Sequence, residues 1–420
     1  MKKIVVLLLS AIMLAGLCGC GKTSDKASVY FLNFKPEQDK AWQELAAEYT
    51  DKTGVDVKVV TAAQGTYEQT LLAEIDKDEA PTLFQINGPV GLESWKDYCL
   101  DLRGSEVYKQ LESDDFALID NGKVLGIAYV YEAYGLITNK KLLEKAGYSI
   151  EEIKSFEDLK KVAEDITARS KELGFSAFTS SGLASSSNWR FAGHLVNMPL
   201  YYEFEDRKIT GQPSEVKGTY LENFKNIWDL YINNSTIDPK TITSDQNDAA
   251  AEFKAEKAVF YQNGTWEYDA IKSIGDENIG FLPIYTGIRD DNQGLCSGTE
   301  NYWAVNSEAS EKDQQATLDF LEWIVTSEEG TESLAEDMGF SAPFKKAKPV
   351  ENVLSKIMTN YVKEGKYSVT WAFSTTPNVE AWRNDFVDAL ASYTAGTGQW
   401  ESVQKAFVDG WSKQYKESKQ

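Results

Sequence analysis

Cys20 is the residue whose type and spacing most directly predict a chemical reaction in this chain. It follows a basic start, Lys2-Lys3, an apolar run over residues 4–17 and the small residue Gly19. This order is typical of a bacterial secretory signal in which the cysteine thiol receives a diacylglyceryl group before cleavage. A membrane-spanning helix is the alternative, but it needs roughly 20 apolar residues, more than this run contains. We therefore predict a signal peptide over residues 1–19 and a mature, lipidated chain beginning at Cys20.

Cys18 is the alternative lipid acceptor, although the preceding Leu17 is bulky for that cleavage site. Lipid must hold the protein at the membrane, because a formal net charge of −22 repels anionic headgroups. The same charge argues against nucleic acid as a partner. Residues 20–27 are small and polar and predict a flexible tether. We expect a protein outside the cytoplasm, anchored to the outer face of the cell membrane.

The remainder of the chain has few residues that favour catalysis or metal binding. Its one histidine, His194, lies among apolar residues, a setting more typical of a structural group than of a ligand. The sequence has no HExxH, GxSxG or GxGxxG motif and no phosphate-binding loop. We predict no catalytic residue, no metal and no cofactor. Cys99 and Cys296 are expected to be buried thiols, although the sequence leaves a disulfide between them open.

The mature chain is too long for one typical core and begins with alternating strand and helix patterns. The predicted strands cover residues 29–32, 55–60 and 82–84, and the predicted helices cover 38–53 and 66–77. This alternation predicts an α/β fold in which helices flank a parallel sheet. Ligands of such sheets bind beyond the carboxyl ends of the strands. The candidate residues at that rim are Asn33, Lys35, Glu37, Gln64, Gln85 and Asn87.

Five segments, in order along the chain, resemble extracellular solute-binding proteins of the maltose and multiple-sugar type (family 1). They are a tyrosine-rich strand leading to Asn139-Lys140 and Lys145-Ala146-Gly147, residues 253–266 ending in Gly264-Thr265-Trp266, residues 279–283, residues 298–310, and a helix over 316–335. Two departures are Thr138, where the family has an aromatic residue, and Ala255-Glu256, where it has a glycine pair.

The resemblance implies a two-lobe, periplasmic-binding-protein-like fold with parallel-rich sheets and hinge-linked lobes. The first lobe would comprise residues 28–130 and 299–338, and the second 131–298 and 339–420. The hinges would lie near Tyr131, Gly298 and Gly339. A sugar would bind in the cleft between the lobes, and a permease would recognise the closed form. A monomer is expected, because no heptad or long apolar edge indicates a partner surface.

Aromatic residues are the predicted sugar-stacking groups, because pyranose rings present apolar faces that pack on aromatic rings. Trp266 stands where the family has its cleft tryptophan. Trp189 lies in a polar stretch without helical or strand periodicity, which favours an exposed loop. Trp371 and the pair Trp382-Arg383 are placed by the resemblance on another cleft wall. Arg383 would bind two sugar hydroxyls with its guanidinium, or would be a surface cation near Asp385.

The polar candidates lie at the two predicted crossings. Glu132, next to Tyr131, stands where the family has an acid that accepts hydrogen bonds from hydroxyl groups. Glu300 and Asn301 would act from the opposite wall.

The sequence thus predicts a lipoprotein that binds a neutral oligosaccharide, with an α-linked maltodextrin or raffinose type favoured. It would deliver this ligand to the permease subunits of an ABC importer, without chemistry of its own. One alternative is a surface glycoside hydrolase with Glu132 and Glu300 as its carboxylate pair, although the strand order does not resemble an eightfold barrel. Another is a sugar-binding protein that serves a sensor.

Overall fold

The computed structural model describes residues 26–63 and 65–419. The predicted signal peptide, the predicted lipid acceptor Cys20 and the candidate Gln64 lie outside the described residues. The strands are β1 (Ser28–Asn33), β2 (Asp56–Thr61), β3 (Leu83–Asn87), β4 (Ala117–Asp120), β5 (Lys123–Ala128), β6 (Glu132–Asn139), β7 (Ser176–Phe178), β8 (Ala258–Gly264), β9 (Ile279–Leu282), β10 (Gln293–Gly298), β11 (Asn301–Val305) and β12 (Tyr367–Val369).

The helices of the first half are α1 (Asp39–Thr53), α2 (Tyr67–Glu74), α3 (Gly88–Trp95), α4 (Glu106–Lys109), α5 (Lys140–Lys145), α6 (Phe156–Ala168), α7 (Ser170–Leu173) and α8 (Asn197–Arg207). Those of the second half are α9 (Leu221–Asn233), α10 (Ala249–Lys254), α11 (Tyr268–Ile271), α12 (Glu311–Thr326), α13 (Glu328–Glu332), α14 (Val353–Lys363), α15 (Val379–Thr394) and α16 (Trp400–Glu417). A π-helical turn, Arg190–Leu195, precedes α8.

The first sheet has the strand order β2-β1-β3-β11-β5-β4. β1 pairs in parallel with β2 and β3, as the alternating patterns predict. Every residue of β1 after Ser28 is buried, because a strand covered on both faces presents apolar groups to each side. The helix α1 ends where Gly54 takes a left-handed conformation (φ 74°), which glycine adopts without steric cost.

The second sheet has the order β12-β10-β6-β8-β7, and β9 also pairs with β6. All eight residues of β6 are buried, so this strand forms the centre of the second lobe. The chain passes between the sheets at residues 129–131, from β5 to β6, and at residues 299–300, from β10 to β11. These two crossings lie side by side, since Tyr129 N donates to Asn301 O at 3.2 Å.

Each sheet has its own aromatic core. In the first lobe Trp42 and Trp303 meet with ring centroids 6.1 Å apart, and Phe340 and Phe344 pack on the same group. Residues 340–347, which the predicted division gives to the second lobe, therefore pack in the first, because their phenylalanines complete its core. Val353 packs in the second lobe. We propose the third crossing between Ala347 and Val353.

The predicted fold class is confirmed: two sheets flanked by helices form two lobes with crossing segments. Within the described residues, six of the ten strand pairs are antiparallel. The sheets are therefore less parallel than predicted, and five of the six antiparallel pairs involve a strand that follows a crossing. β11 enters the first sheet from the other lobe and runs against β3 and β5, and β6 likewise runs against β8, β9 and β10.

The two cysteines of the described chain are buried free thiols in different lobes. Burial raises the pKa of Cys99 to about 12, so its thiol is protonated and inert at neutral pH. Across residues 26–63 and 65–419, no helix combines the length and hydropathy that a membrane span requires.

Candidate functional site

A cavity of about 740 Å³ lies between the lobes. Its volume is in the range of small-molecule binding pockets. Three groups of residues line it: loops at the ends of β1 and β3, the two crossings, and second-lobe segments around residues 189–194, 266–270 and 371–383.

The charged cluster, which we define as Lys35, Glu132 and Asn301, forms the floor of the cleft at the crossings. Lys35 Nζ donates to both carboxylate oxygens of Glu132, at 2.9 and 3.1 Å. Asn301 Nδ2 donates to Glu132 Oε2 at 2.9 Å. All three residues are at least 95% buried. The cluster thus joins the end of β1, the start of β6 and the start of β11 through charge-assisted hydrogen bonds.

The local fold after β1 explains how Lys35 reaches the crossings. Asn33 is fully buried; its Oδ1 accepts from Lys35 N at 3.0 Å and its Nδ2 donates to Lys35 O at 2.9 Å. Burial alone would lower the pKa of Lys35, but the charges of Glu132 and Glu37 outweigh it, so the pKa is raised. Lys35 therefore carries a full positive charge at neutral pH.

Glu300, on the second crossing, and Arg383, on α15, both line the cavity and interact electrostatically. Burial raises the pKa of Glu300 to about 7; Arg383 and Lys35 oppose this shift and Glu132 adds to it. Burial lowers the pKa of Arg383, although the negative charges of Glu300 and Glu380 act to raise it. Arg383 Nε is buried and has no hydrogen-bond partner in the described part of the chain.

The aromatic wall, which we define as Trp189, His194, Trp266, Trp371 and Phe373, lines the second-lobe side of the cleft. The ring centroids of Trp189 and Trp266 are 6.1 Å apart, and those of Trp371 and Phe373 are 5.6 Å apart. His194 lies among them, 5.0 Å from Trp189 and 5.3 Å from Phe373. Trp189 and Trp266 are only partly buried.

Gly298 allows Trp371 to lie directly on the second crossing. A Cβ atom at this position would come within 3.0 Å of the Trp371 ring, closer than such contacts normally allow. The end of β10 and the aromatic wall are therefore in contact, and a larger residue at position 298 would require one of them to shift.

The first-lobe rim carries hydrogen-bonded side chains. Asn87 Nδ2 donates to Glu68 Oε1 at 3.3 Å, and Trp95 Nε1 donates to Glu68 Oε2 at 3.0 Å. Burial raises the pKa of Glu68, which these donors partly oppose. Gln85 stands behind this rim, where it accepts from Tyr129 Oη and donates to Asn87 Oδ1.

The structure brings ten of the predicted site residues to the cavity and leaves four others away from it. The residues that line it are Lys35, Glu37, Asn87, Glu132, Trp189, Trp266, Glu300, Asn301, Trp371 and Arg383. Asn33 and Gln85 instead position their neighbours. Tyr131 packs against Phe116, with ring centroids 6.2 Å apart.

Trp382 is a correction to the predicted site. Its side chain is 1% exposed, stacks on Phe386 with ring centroids 5.2 Å apart and donates from Nε1 to Phe407 O. Neighbouring residues of a helix point about 100° apart, so Trp382 enters the core while Arg383 reaches the cleft.

Several cavity-lining residues have no counterpart among the sequence predictions: Phe34, Tyr67, Glu68, His194, Glu267, Phe373, Asn378 and Glu380. For His194 and Phe373 no sequence signal was available, because they are about 180 positions apart and meet only after folding. Glu267 had a usable signal, since it adjoins Trp266 at the end of β8.

The two lobes touch at the mouth of the cleft. Gln69 Nε2, on α2, donates to Glu380 Oε2, on α15, at 2.9 Å. The start of α3 also meets the turn Ala372–Thr375, where a Cβ at Gly88 would be 3.5 Å from Ser374 Cβ. The contact at Gly88 lies beside the second crossing, since Gly88 N donates to Glu300 O at 3.0 Å.

The carboxylate of Glu132 is already committed to hydrogen bonds within the protein. Both oxygens of Glu132 are already engaged by Lys35 and Asn301, so this residue is not placed as a free acid or base. The described residues also contain no group of three or more histidine, cysteine or carboxylate side chains that could hold a metal ion.

Residues 44–363 match the family model described as bacterial extracellular solute-binding protein. Among solved structures, the GacH receptor of Streptomyces glaucescens, studied unliganded and with acarbose, has a TM-score of 0.72 at 19% identity, covering 93% of this chain and 99% of that one. The SBP RafE in complex with raffinose has a TM-score of 0.72 at 17% identity, covering 92% and 100%. A sugar transporter from Bacillus licheniformis in complex with stachyose has a TM-score of 0.69 at 16% identity, also covering 92% and 100%.

Proposed function

The chain belongs to the bacterial extracellular solute-binding protein family, and from this premise we propose that it captures a neutral oligosaccharide in the cleft. The bound protein would deliver that ligand to the permease subunits of an ABC importer. It performs no reaction itself.

The main support for sugar binding is that one cavity combines an aromatic wall with a hydrogen-bonding floor. Sugar rings have apolar faces that pack on aromatic side chains and edges of hydroxyl groups that need polar partners. Asn301 Oδ1 and Trp371 Nε1 are buried on the lining residues without a partner in the described structure. With Arg383 Nε, one acceptor and two donors are thus unused on the described lining of the cavity.

The volume and the wall favour more than one sugar ring. Two partly buried tryptophans and the Trp371-Phe373 pair offer separate stacking surfaces along the cleft. The solved relatives in complex with raffinose, stachyose and acarbose support an α-linked oligosaccharide of raffinose or maltodextrin type. Among the described residues, only two that line the cavity are basic, Lys35 and Arg383, which disfavours acidic sugars.

Calorimetric titration of the purified protein with maltotriose, raffinose and stachyose tests this proposal. We expect saturable binding of one linkage type, with no shortened product when the same mixtures are analysed by chromatography. Release of smaller sugars would instead identify a glycoside hydrolase and redirect attention to Glu132 and Glu300. Absence of binding to every member of the panel would reject the oligosaccharide ligand.

We further propose that the protein is a monomer, held outside the cell membrane by lipid on Cys20. Replacing the thiol acceptor tests the anchor: Cys20→Ala should release the chain into the medium or leave it unprocessed, whereas Cys18→Ala should leave it membrane-bound. Continued lipid labelling of Cys20→Ala would move the anchor to Cys18.

A further inference from the structure

His194 occupies a position in the aromatic wall that a purely structural histidine does not require. It lies on the π-helical turn Arg190–Leu195 and stacks on Tyr134, with ring centroids 4.1 Å apart and planes within 5°. Trp266 meets it edge to face at 5.5 Å. The imidazole therefore sits at the back of the wall, with Tyr134 behind it and the stacking tryptophans around it.

The imidazole is buried without a hydrogen-bond partner. Its backbone carbonyl accepts from Tyr134 Oη at 3.2 Å, whereas neither ring nitrogen bonds to another residue in the described part of the chain. The residue is 7% exposed and lines the cavity. The ring nitrogens are not among the buried unpaired atoms of the described structure, so solvent in the open cavity reaches them. A ligand that displaces this solvent must supply a hydrogen bond of its own, because leaving a buried polar group unpaired costs roughly 1–3 kcal/mol.

Burial and two nearby positive charges keep the His194 ring neutral. Burial is the largest cause, followed by the positive charges of Arg383 on α15 and Arg190 on its own turn; together they lower the pKa to about 3. The other faces are covered by Tyr134 and uncharged aromatic rings. At neutral pH the ring thus carries one N–H donor and one bare nitrogen acceptor.

We propose that His194 contacts the ligand and determines specificity, by hydrogen-bonding a hydroxyl group of the sugar ring that packs against Trp266 and Trp189. This role rests on the proposed oligosaccharide ligand. A hydroxyl group both donates and accepts, so it fits either nitrogen of a neutral imidazole. A ligand that lacks this hydroxyl leaves the imidazole unpaired in a closed cleft and is rejected for that reason.

Nuclear magnetic resonance of the imidazole tests the contact without any substitution, because the chain contains a single histidine. The protein is labelled with ¹⁵N-histidine and titrated with maltotriose, raffinose or stachyose, whichever binds in calorimetry. We expect a neutral ring at pH 7 and a shift of one ring nitrogen that saturates together with the calorimetric isotherm. Ring signals that stay unchanged during saturable binding overturn the proposal.

Two substitutions then separate hydrogen bonding from packing. His194→Phe keeps a ring for stacking on Tyr134 but removes both nitrogens, and we expect it to weaken binding about 10- to 100-fold. His194→Gln restores a donor and an acceptor and should recover part of the loss. If wild type and His194→Phe bind the sugar with equal affinity, the role of His194 is rejected and the oligosaccharide ligand stands. If no sugar binds the wild-type protein, both the proposed ligand class and the proposed role of His194 are rejected.

Discussion

The charged cluster and the aromatic wall differ in how much of their binding capacity is already used. In the charged cluster, Lys35 and Asn301 both engage Glu132, so the charges are paired within the protein. In the aromatic wall, Trp189 and Trp266 keep part of their surface open and the His194 ring nitrogens have no partner in the described residues. The charges of the cluster are paired without a ligand and only Asn301 Oδ1 is left unpaired there, whereas much of the wall remains open.

This difference predicts which property each region controls. The cluster joins three segments at the crossings, so its loss should appear mainly in the free energy of unfolding. The wall is incomplete without a sugar, so its loss should appear mainly in affinity. Substitutions in the two regions therefore separate stability from binding.

The largest effect is expected from breaking the charged cluster. Lys35→Met leaves Glu132 buried with Asn301 as its remaining partner, and loss of one partner of a buried pair costs about 3–5 kcal/mol. Urea unfolding should show this loss. The control is Lys40→Met, since Lys40 forms an exposed pair with Glu44 whose removal should cost less than about 0.5 kcal/mol. Equal effects of the two substitutions would show that the cluster does not stabilise the crossings.

Glu300, next to the cluster, should make stability depend on pH. Its pKa is about 7 in the folded protein, raised by burial from the ordinary 4.5. The stabilising contribution of the protonated form is complete below pH 4.5 and is lost as the pH rises through 7. Over this range the loss is on the order of 2–3 kcal/mol.

Glu300→Gln stays uncharged at every pH, so the loss of stability between pH 4.5 and 7 should be absent from this variant. Urea denaturation of both proteins at pH 5 and at pH 8 measures this. We expect the unfolding free energy of Glu300→Gln, relative to wild type, to be higher at pH 8 than at pH 5. Parallel stability profiles of the two proteins would contradict the shifted pKa.

Breaking the aromatic wall should weaken binding by a smaller amount. Trp266→Ala should cost about 1–3 kcal/mol of binding free energy in calorimetry, because a stacking surface is lost. The matched control is Trp323→Ala, which removes a partly buried tryptophan that packs on Tyr49 in the first lobe, outside the cavity lining. Its sugar affinity should stay at the wild-type value. An unchanged affinity of Trp266→Ala would assign that ring to packing.

The smallest effect is expected where the two lobes touch at the cleft mouth. Gln69→Ala removes the exposed hydrogen bond to Glu380 and should lower affinity by less than about 1 kcal/mol, with a slightly larger radius of gyration in X-ray scattering. Gln315→Ala removes a similar exposed bond to Asp319 within α12 and should change neither quantity. Identical scattering of the two variants would show that the Gln69 contact does not help hold the lobes together.

Much of the first lobe was predictable because local patterns carry it. Alternating apolar residues and Gly54 indicated the β1-α1-β2 unit, and the rule of strand ends placed Lys35 and Asn87 at the cavity. The mixed strand directions were not predictable in this way, since they depend on strands that arrive from the other lobe. The packing of Phe340 and Phe344 in the first lobe likewise depends on Trp303, about 40 positions earlier.

The α/β class and the family resemblance were readable from the amino-acid sequence, because strand and helix periods and ordered motifs are local properties of the chain. The sequence also nominated most of the cavity-lining acids and tryptophans. Only the tertiary structure decided which of Trp382 and Arg383 faces the cleft, and that His194 lies beside Trp266. Both outcomes depend on which face of a helical turn points to the cavity. The packing of segments that are distant in the sequence fixes this orientation.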